Sequence, residues 1–327
     1  MPRISMDIGN LRSGNVILIC CKCILIILLF LKPAFSAPAK ENIILIGWDG
    51  AGREIVKDLM RQGKLPNLQK LSKEGSFVDI DITNITDTKA GWAEILTGYD
   101  YYITGVYSKQ VFEPVPGDYS IFHKVKELYG SRGIITIMLT GWKNMLCRDP
   151  DSIYYNFKKD LDFYDCNRPR KTISPYSALM AIDRYKDKHF FAFFHFNHID
   201  QAGHIYGYFS EKYRSEFVVC DRELGKIITK LKQYNIYDSS LIYVVSDHGF
   251  DKKEYTPLLD AVKKYDHFGL ESRQVFLVTN DKTITKKTGN RLDIAPTILK
   301  RIGYNLSSIN PPLTGIPLNK DHRNNDE

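Results

Sequence analysis

The sequence predicts an α/β fold: a doubly wound, mainly parallel central sheet with helices on both faces. Strand-like runs alternate along the chain with segments of helical periodicity, which is typical of parallel sheets. The runs are apolar at nearly every position, as expected for strands covered by helices on both sides. They span residues 42–47, 133–139, 189–196, 241–245 and 274–278.

Two segments between these strands have helical spacing. Residues 53–61 place Ile55 and Leu59 four positions apart. Residues 210–233 carry one apolar stripe at helical intervals, as expected of a helix that packs on a sheet. The stripe consists of Tyr213, Phe217, Cys220, Leu224, Ile227 and Leu231.

The first 39 residues differ from the rest of the chain. A basic segment precedes the apolar run 23–31, and small residues follow it up to Ala39, which is the order of a secretory signal peptide. A retained membrane anchor is the alternative, because residues 16–31 are apolar except for Lys22. That stretch is shorter than the about 20 residues that span a bilayer. Either reading places the protein outside the cytoplasm, and the anchor would add membrane association through the N-terminus.

Residues 40–318 are predicted to form a single domain, and the polar residues 319–327 a disordered tail. The chain is 43% hydrophobic and 25% charged, an ordinary globular balance. Its net charge of +7 is spread along the sequence, and the basic cluster at 282–287 is too sparse for a nucleic-acid arm. Binding to nucleic-acid polymers is therefore not expected.

Three cysteines lie beyond the N-terminal segment. Cys147 and Cys166 flank a stretch rich in Asp and Tyr and could form a disulfide. Cys220 lies on the apolar stripe of the long helix and is expected to be a buried thiol. The chain has no CxxC spacing after residue 39 that would suggest a thiolate metal site.

Acidic residues and histidines follow three of the predicted strands. Asp49 follows the first, Asp200 the third, and Asp247 with His248 the fourth. His204 follows Asp200 by four residues, on what we predict to be a tight turn containing glycine. The carboxyl ends of parallel strands meet at one edge of a sheet, where ligands bind. A single Asp there is usually a turn or cap residue, but five side chains are about what two metal ions require, and Asp with His suits zinc.

Three motifs occur in order: Gly47-Trp-Asp-Gly50, Asp200-Gln-Ala-Gly-His-Ile-Tyr-Gly207 and Ser246-Asp-His-Gly-Phe250. With them the chain resembles the alkaline phosphatase superfamily, and within it the type I phosphodiesterase and nucleotide pyrophosphatase branch. The late segment Asp293-Ile-Ala-Pro-Thr-Ile-Leu299 is similar to the superfamily's C-terminal segment. The resemblance implies that residues 40–318 are one alkaline phosphatase-like catalytic domain.

The resemblance also implies a nucleophile. In the family, a Thr or Ser between two metal ions attacks phosphorus, ten residues before the glycine of a Thr-Gly pair. Gly98 ends such a pair here, which selects Thr88 over Thr83 and Thr86. Thr88 is also expected to begin a helix whose first amide groups could face an anion. The alternative is that Thr88 is an ordinary helix N-cap.

Two divalent ions, zinc or manganese, are implied by the same resemblance. Beside Asp200 and His204 the family needs a third ligand, a histidine, and His267 lies where short members of the family carry it. The alternatives for this ligand are His123, His195 and His198. The predicted ligands are Asp49, Thr88, Asp247 and His248 for one ion, and Asp200, His204 and His267 for the other.

Two features bear on the substrate. The family carries an Asn three residues after the nucleophile, and this chain has Gly91 there. We predict that Lys89, Trp92 or the backbone at Gly91 contacts the substrate instead. The Cys-x-Pro-x-Arg segment of sulfatases is missing, which argues against their mechanism.

The expected activity is metal-dependent cleavage of a phosphodiester or pyrophosphate bond through a phosphothreonine intermediate. Hydrolysis of a phosphomonoester or a phosphonate is an alternative, as is a metal-binding relative that has lost turnover. The expected substrate is a small phosphorylated molecule, of the nucleotide or lipid headgroup type. The aromatic residues of segments 99–118 and 142–168 either stack on it or simply pack at the rim.

Overall fold

A sheet of eight strands forms the centre of the protein, in a computed structural model that describes residues 40–140, 152–165, 175–252 and 267–320. The strand order is β4-β3-β5-β1-β6-β7-β2-β8. β7 runs antiparallel to its neighbours β6 and β2, and the other pairs are parallel. The predicted mainly parallel sheet is therefore confirmed. The strands are β1 (Asn42–Trp48), β2 (Ser76–Asp81), β3 (Ile135–Thr140), β4 (Phe163–Asp165), β5 (Phe190–Phe196), β6 (Ser240–Val245), β7 (Gln274–Thr279) and β8 (Thr288–Gly289).

The five predicted strands are β1, β3, β5, β6 and β7, while β2, β4 and β8 were not predicted. β2 lies near one end of the sheet and alternates buried with more exposed residues, so it lacks a continuous apolar run. Asp79, one of its more exposed residues, pairs with Lys57 at 2.6 Å. β4 and β8 have only three and two residues, too few for a pattern to be recognised.

Helices cover both faces of the sheet, as predicted. The alternation of β1 shows the two layers: Ile43 and Leu45 belong to one hydrophobic core, and Ile44 and Ile46 to the other. Helices α3, α5 and α9 pack into the first core, and α1, α2, α6, α7 and α8 into the second. The α-helices of the described residues are α1 (Arg53–Arg61), α2 (Pro66–Glu74), α3 (Thr88–Thr97), α4 (Tyr101–Thr104), α5 (Ile121–Tyr129), α6 (Pro175–Tyr185), α7 (His198–Tyr206), α8 (Glu211–Gln233) and α9 (Ile294–Arg301).

The segment containing Asp200 and His204 is a helix, α7, so the predicted tight turn is wrong. Gly203 suggested a turn, but it lies within the helix. A glycine is needed there because the Phe250 ring packs against its Cα. A Cβ at this position would lie 2.4 Å from a ring carbon of Phe250. The helical geometry places Asp200 and His204 one turn apart on the same face.

The part of the chain that the structure describes extends two residues beyond the predicted domain boundary at residue 318. Asn319 forms a β-bridge with Ile284, and the amide of Lys320 donates to the Thr283 carbonyl at 3.0 Å. The predicted tail is therefore corrected at its first two residues, and 321–327 lie outside the described residues. Residues 1–39 lie outside them as well.

Two predictions about cysteines have different outcomes. Cys220 is a buried free thiol on α8, as predicted. Cys147 and Cys166 lie outside the described residues, so their pairing stays a prediction. Among the helices that the structure describes, none is long and apolar enough to cross a membrane.

Candidate metal centre and nucleophile

Three carboxylates meet at the carboxyl edge of the sheet. Asp49, Asp200 and Asp247 follow β1, β5 and β6, which are neighbours in the sheet, and each is at most 1% exposed. The turn after Asp49 is tight because Gly50 has φ +75°, the left-handed region that favours glycine. A Cβ on Gly50 would lie 2.8 Å from the Cα of Asp200, so the glycine also lets α7 approach β1.

His248 directs one ring nitrogen at these carboxylates. Its Nδ1 lies 2.9 Å from the Gly249 carbonyl, which can only accept, so Nδ1 carries the proton. Burial and the neighbouring His267 lower the pKa of His248 well below its usual range, which keeps the ring neutral. Nε2 therefore presents a lone pair, 3.4 Å from Asp49 Oδ1 and 3.5 Å from Asp247 Oδ2.

The side chains form two groups that could each hold a metal ion. In the first, Asp200, His204 and His267 each offer a ligand atom within 4.8 Å of the others. In the second, Asp49, Asp200 and His248 do the same. Asp200 thus belongs to both groups, whereas the predicted division placed Asp247 with Asp49 and His248. Asp247 lies beside this second group, with its Oδ1 accepting from the Gly50 amide at 3.2 Å.

The residues present fit divalent metal ions. Burial and the charges of Asp49 and Asp200 raise the pKa of Asp247 well above its usual range, because three carboxylates repel each other in a dry site. The guanidinium of Arg291 is buried nearby but donates to the backbone carbonyl of Asp247, at 2.8 Å. Carboxylate oxygens and imidazole nitrogens are ligands that zinc and manganese accept. A cation of this kind would offset the repulsion between the carboxylates and would accept the lone pair of His248 Nε2.

Thr88 lies beside this cluster as the first residue of α3. Its Oγ1 is 3.1 Å from Nε2 of His248, and because that nitrogen is an acceptor, the hydroxyl donates. The N-cap of the helix is Asp87, whose Oδ1 accepts from the Lys89 amide at 2.9 Å. The alternative that Thr88 is an ordinary N-cap is therefore wrong, and its hydroxyl is directed at the carboxyl edge.

A buried ion pair joins α3 to Arg291, just before α9, and was not predicted. Arg291 is fully buried, and its Nε donates to Glu94 at 2.5 Å. Its other nitrogens donate to the carbonyls of Asp247 and Ile85, so it ties the segment before the nucleophile to a metal-ligand candidate. A Cβ at Gly91 would lie 2.8 Å from the Asp247 Cβ and 3.1 Å from Arg291 Nη1, which leaves no room for an Asn. In the sequence, Arg291 is marked only by its nearness to the Asp293 motif.

The predicted substrate contacts Lys89 and Trp92 have other surroundings. Trp92 is fully buried under the site, with its ring 4.9 Å from that of His195, so its predicted contact with a substrate is wrong. The ammonium of Lys89 lies 3.5 Å from the centre of the Phe112 ring and donates to the Lys109 carbonyl at 3.1 Å. A substrate contact through Lys89 stays a prediction.

Among the described residues, none of the histidines considered as alternatives to His267 belongs to the group formed by Asp200 and His204. His123 lies 3.1 Å from Asp160, and His198 is a partly buried residue at the start of α7. His195 contacts Asp49. His267 is the histidine that lies with Asp200 and His204, its ring centre 5.3 Å from that of His204.

The fold and the site together define the class of protein. A mainly parallel sheet with Asp and His clustered at its carboxyl edge is the arrangement implied for the alkaline phosphatase superfamily. The sequence model of the type I phosphodiesterase / nucleotide pyrophosphatase family matches residues 43–290. The chain belongs to this family.

Solved structures of similar fold agree with this assignment. Murine ectonucleotide pyrophosphatase / phosphodiesterase 5 has a TM-score of 0.60 at 15% identity, covering 86% of this chain and 97% of its own. The lipoteichoic acid synthase LtaP of Listeria monocytogenes has a TM-score of 0.57 at 17% identity, and the match covers 83% of this chain and 74% of LtaP. A Vibrio parahaemolyticus protein of the alkaline phosphatase superfamily has a TM-score of 0.56 at 17% identity, and the match covers 84% of this chain and 71% of that protein. Among curated proteins, no sequence match is found. These similarities confirm the alkaline phosphatase-like fold.

Proposed function

We propose that this protein hydrolyses phosphodiester or pyrophosphate bonds in a small phosphorylated substrate, with the hydroxyl of Thr88 as the nucleophile. The observation that carries the proposal is the 3.1 Å contact between Thr88 Oγ1 and His248 Nε2. It places a hydroxyl directly against a buried cluster of metal-ligand candidates. Membership of a phosphodiesterase and pyrophosphatase family supports the same reaction class.

Two divalent ions, zinc or alternatively manganese, would be held by the two groups of side chains. When bound, the ions would lower the pKa of the Thr88 hydroxyl and neutralise phosphoryl oxygens. Asp200, whose carboxylate belongs to both groups, could contribute a ligand oxygen to either ion. The proposed ligands are Asp49, Asp247 and His248 with Thr88 on one side, and Asp200, His204 and His267 on the other.

The protein's own residues would divide the reaction into two displacements. The Thr88 hydroxyl loses its proton and its oxygen attacks phosphorus, while the bond to the leaving oxygen breaks and that oxygen takes up a proton, which leaves a phosphothreonine. Water then attacks that phosphorus, the bond between phosphorus and Thr88 Oγ1 breaks, and a proton from the water restores the hydroxyl as phosphate or its monoester leaves. The position of Thr88 at the first turn of α3 helps because the positive end of the helix dipole attracts the phosphoryl charge. The Arg291–Glu94 pair holds the segments on both sides of the nucleophile in place.

A structural neighbour supports both the nucleophile and the substrate class. The murine enzyme was solved as an inactive threonine-to-alanine variant in complex with AMP. A threonine is thus tied to the activity of that protein, and a nucleotide to its binding site. For this chain we propose Thr88 in the same role and a substrate that contains a nucleotide-like phosphoryl group.

A panel of chromogenic substrates tests the proposal. Aryl phosphodiesters, aryl phosphomonoesters and aryl sulfates are assayed with added zinc or manganese, and the Thr88→Ala variant controls for contaminating hydrolases. We expect the highest kcat/KM for a diester and no turnover of the sulfate. A preference for the monoester would assign the alternative activity. No turnover of any substrate by a protein that holds its metals would indicate a relative without catalysis.

We also propose that the protein acts outside the cytoplasm. The support is the order of basic, apolar and small residues before Lys40, which is that of an export signal.

A further inference from the structure

His195 lies directly behind the metal-ligand candidate Asp49. It is on β5, in register with Gly47 of β1, and its Nε2 is 2.9 Å from Asp49 Oδ2. Both side chains are fully buried. The other carboxylate oxygen, Oδ1, is the one that lies 3.4 Å from His248 Nε2. The two oxygens of Asp49 therefore have different neighbours.

The direction of this hydrogen bond follows from the chemistry of the two groups. An ionised carboxylate can only accept, so the proton is on Nε2 of His195. Among the described residues, Nδ1 has no hydrogen-bond partner. The bond to Asp49 is the polar contact that the structure gives this imidazole.

Packing alone does not account for a histidine at this position. β5 reads Phe-Phe-Ala-Phe-Phe-His-Phe and is buried throughout, so His195 interrupts an otherwise apolar strand. Its ring lies among aromatic rings, 4.9 Å from Trp92 and 6.1 Å from Phe193. A phenylalanine would fill this space without the cost of burying an imidazole whose second nitrogen is unpaired. What a phenylalanine at this position would lack is the hydrogen bond from Nε2–H to Asp49.

We propose that His195 is a positioning residue for the metal ion bound through Asp49. By holding Oδ2, its Nε2–H directs Oδ1 toward His248 and Asp200 and fixes the carboxylate in one orientation. Partners of this kind behind a ligand typically change metal affinity by about 10 to 100-fold. The inference rests on the proposed function, because it needs the metal site to be real.

The test measures zinc affinity of the full chain after chelation, in competition with a chromophoric chelator. His195→Phe keeps the ring size and removes the donor, whereas His195→Gln keeps an N–H donor. His189→Phe is the matched control: His189 precedes β5 at the opposite end of the sheet, where its Nε2 lies 2.8 Å from the Glu41 carbonyl. We expect His195→Phe to weaken one of the two ions by about 10 to 100-fold and the other by less than about twofold.

The variants also assign the affected ion. Combined with His267→Ala, which removes a ligand from the other group, His195→Phe should weaken the remaining ion by the same factor. His195→Gln should restore at least part of the loss, and His189→Phe should leave both affinities unchanged. Urea denaturation of the metal-free variants shows whether each one folds.

Each outcome decides a different claim. If wild-type protein binds neither zinc nor, measured in the same way, manganese, the proposed function fails. If wild-type protein binds zinc and His195→Phe binds both ions with wild-type affinity, or weakens both equally, the role of His195 is overturned and the proposed function stands. A folded His195→Gln protein as weak as His195→Phe also overturns it, because the donor would then not matter.

Discussion

Replacing Thr88 with Ala removes the proposed nucleophile and little else. The substitution deletes the hydroxyl that lies 3.1 Å from His248 and leaves every other ligand candidate in place. We expect turnover of a chromogenic phosphodiester to fall by at least about 10³-fold, which is about 4 kcal/mol of transition-state stabilisation. Metal content, measured by elemental analysis, should stay near the wild-type value.

The effect on folding should be small by comparison. The lost hydrogen bond is worth about 1 kcal/mol, and the better helix propensity of Ala offsets about half of that. No cap is lost, because Asp87 caps α3. The free energy of unfolding, measured by urea denaturation, should therefore change by less than about 1 kcal/mol. This separation between activity and stability is what distinguishes a nucleophile from a structural threonine.

Two neighbouring threonines provide controls. Thr86 is buried, and Thr83 is exposed and accepts from Asn290 at 3.0 Å. Thr86→Ala and Thr83→Ala should cost far less activity than Thr88→Ala, while Thr88→Ser should retain part of it. Wild-type turnover in Thr88→Ala would refute the assignment. If Thr86→Ala were the inactive variant instead, the nucleophile would be Thr86 and not Thr88.

Four further predictions follow from the site and the sequence. Chelation should abolish hydrolysis and zinc or manganese should restore it; full activity in a preparation shown to be metal-free would contradict the two-metal mechanism. In metal-free protein the raised pKa of Asp247 means that the folded state keeps a proton that the unfolded state has released. The free energy of unfolding should therefore fall as pH rises from the ordinary pKa of an aspartate to the raised pKa of Asp247. Added zinc should then raise the melting temperature more at about pH 8 than at about pH 5, and equal shifts would argue against metal binding at these carboxylates. Gly91→Ala should reduce kcat by displacing Asp247 or Arg291, since its Cβ would lie 2.8 Å and 3.1 Å from them, and an unimpaired variant would show that this contact is easily relaxed. Mass spectrometry of the exported protein should find an N-terminus between residues 37 and 40, whereas an intact leader in the membrane fraction would show an anchor.

Local pattern and spacing determined much of this protein. Continuous apolar runs located β1, β3, β5, β6 and β7, because a strand covered on both faces has no polar side. Since parallel strands end at one edge, the acidic residues after β1, β5 and β6 could be expected to meet there, and the structure brings them together. The position of Thr88 came from its distance to a Thr-Gly pair in a recognised family pattern.

Tertiary structure decided what depends on neighbours distant in the chain. Trp92 looked available to a substrate but is covered by β1 and β5, since a Cβ on Gly47 would touch its ring. Arg291 meets Glu94 across 197 positions, and His195 meets Asp49 across 146. No local periodicity marks such partners. Whether a buried polar side chain binds a metal, positions a ligand or fills space is decided by which group faces it in the folded core.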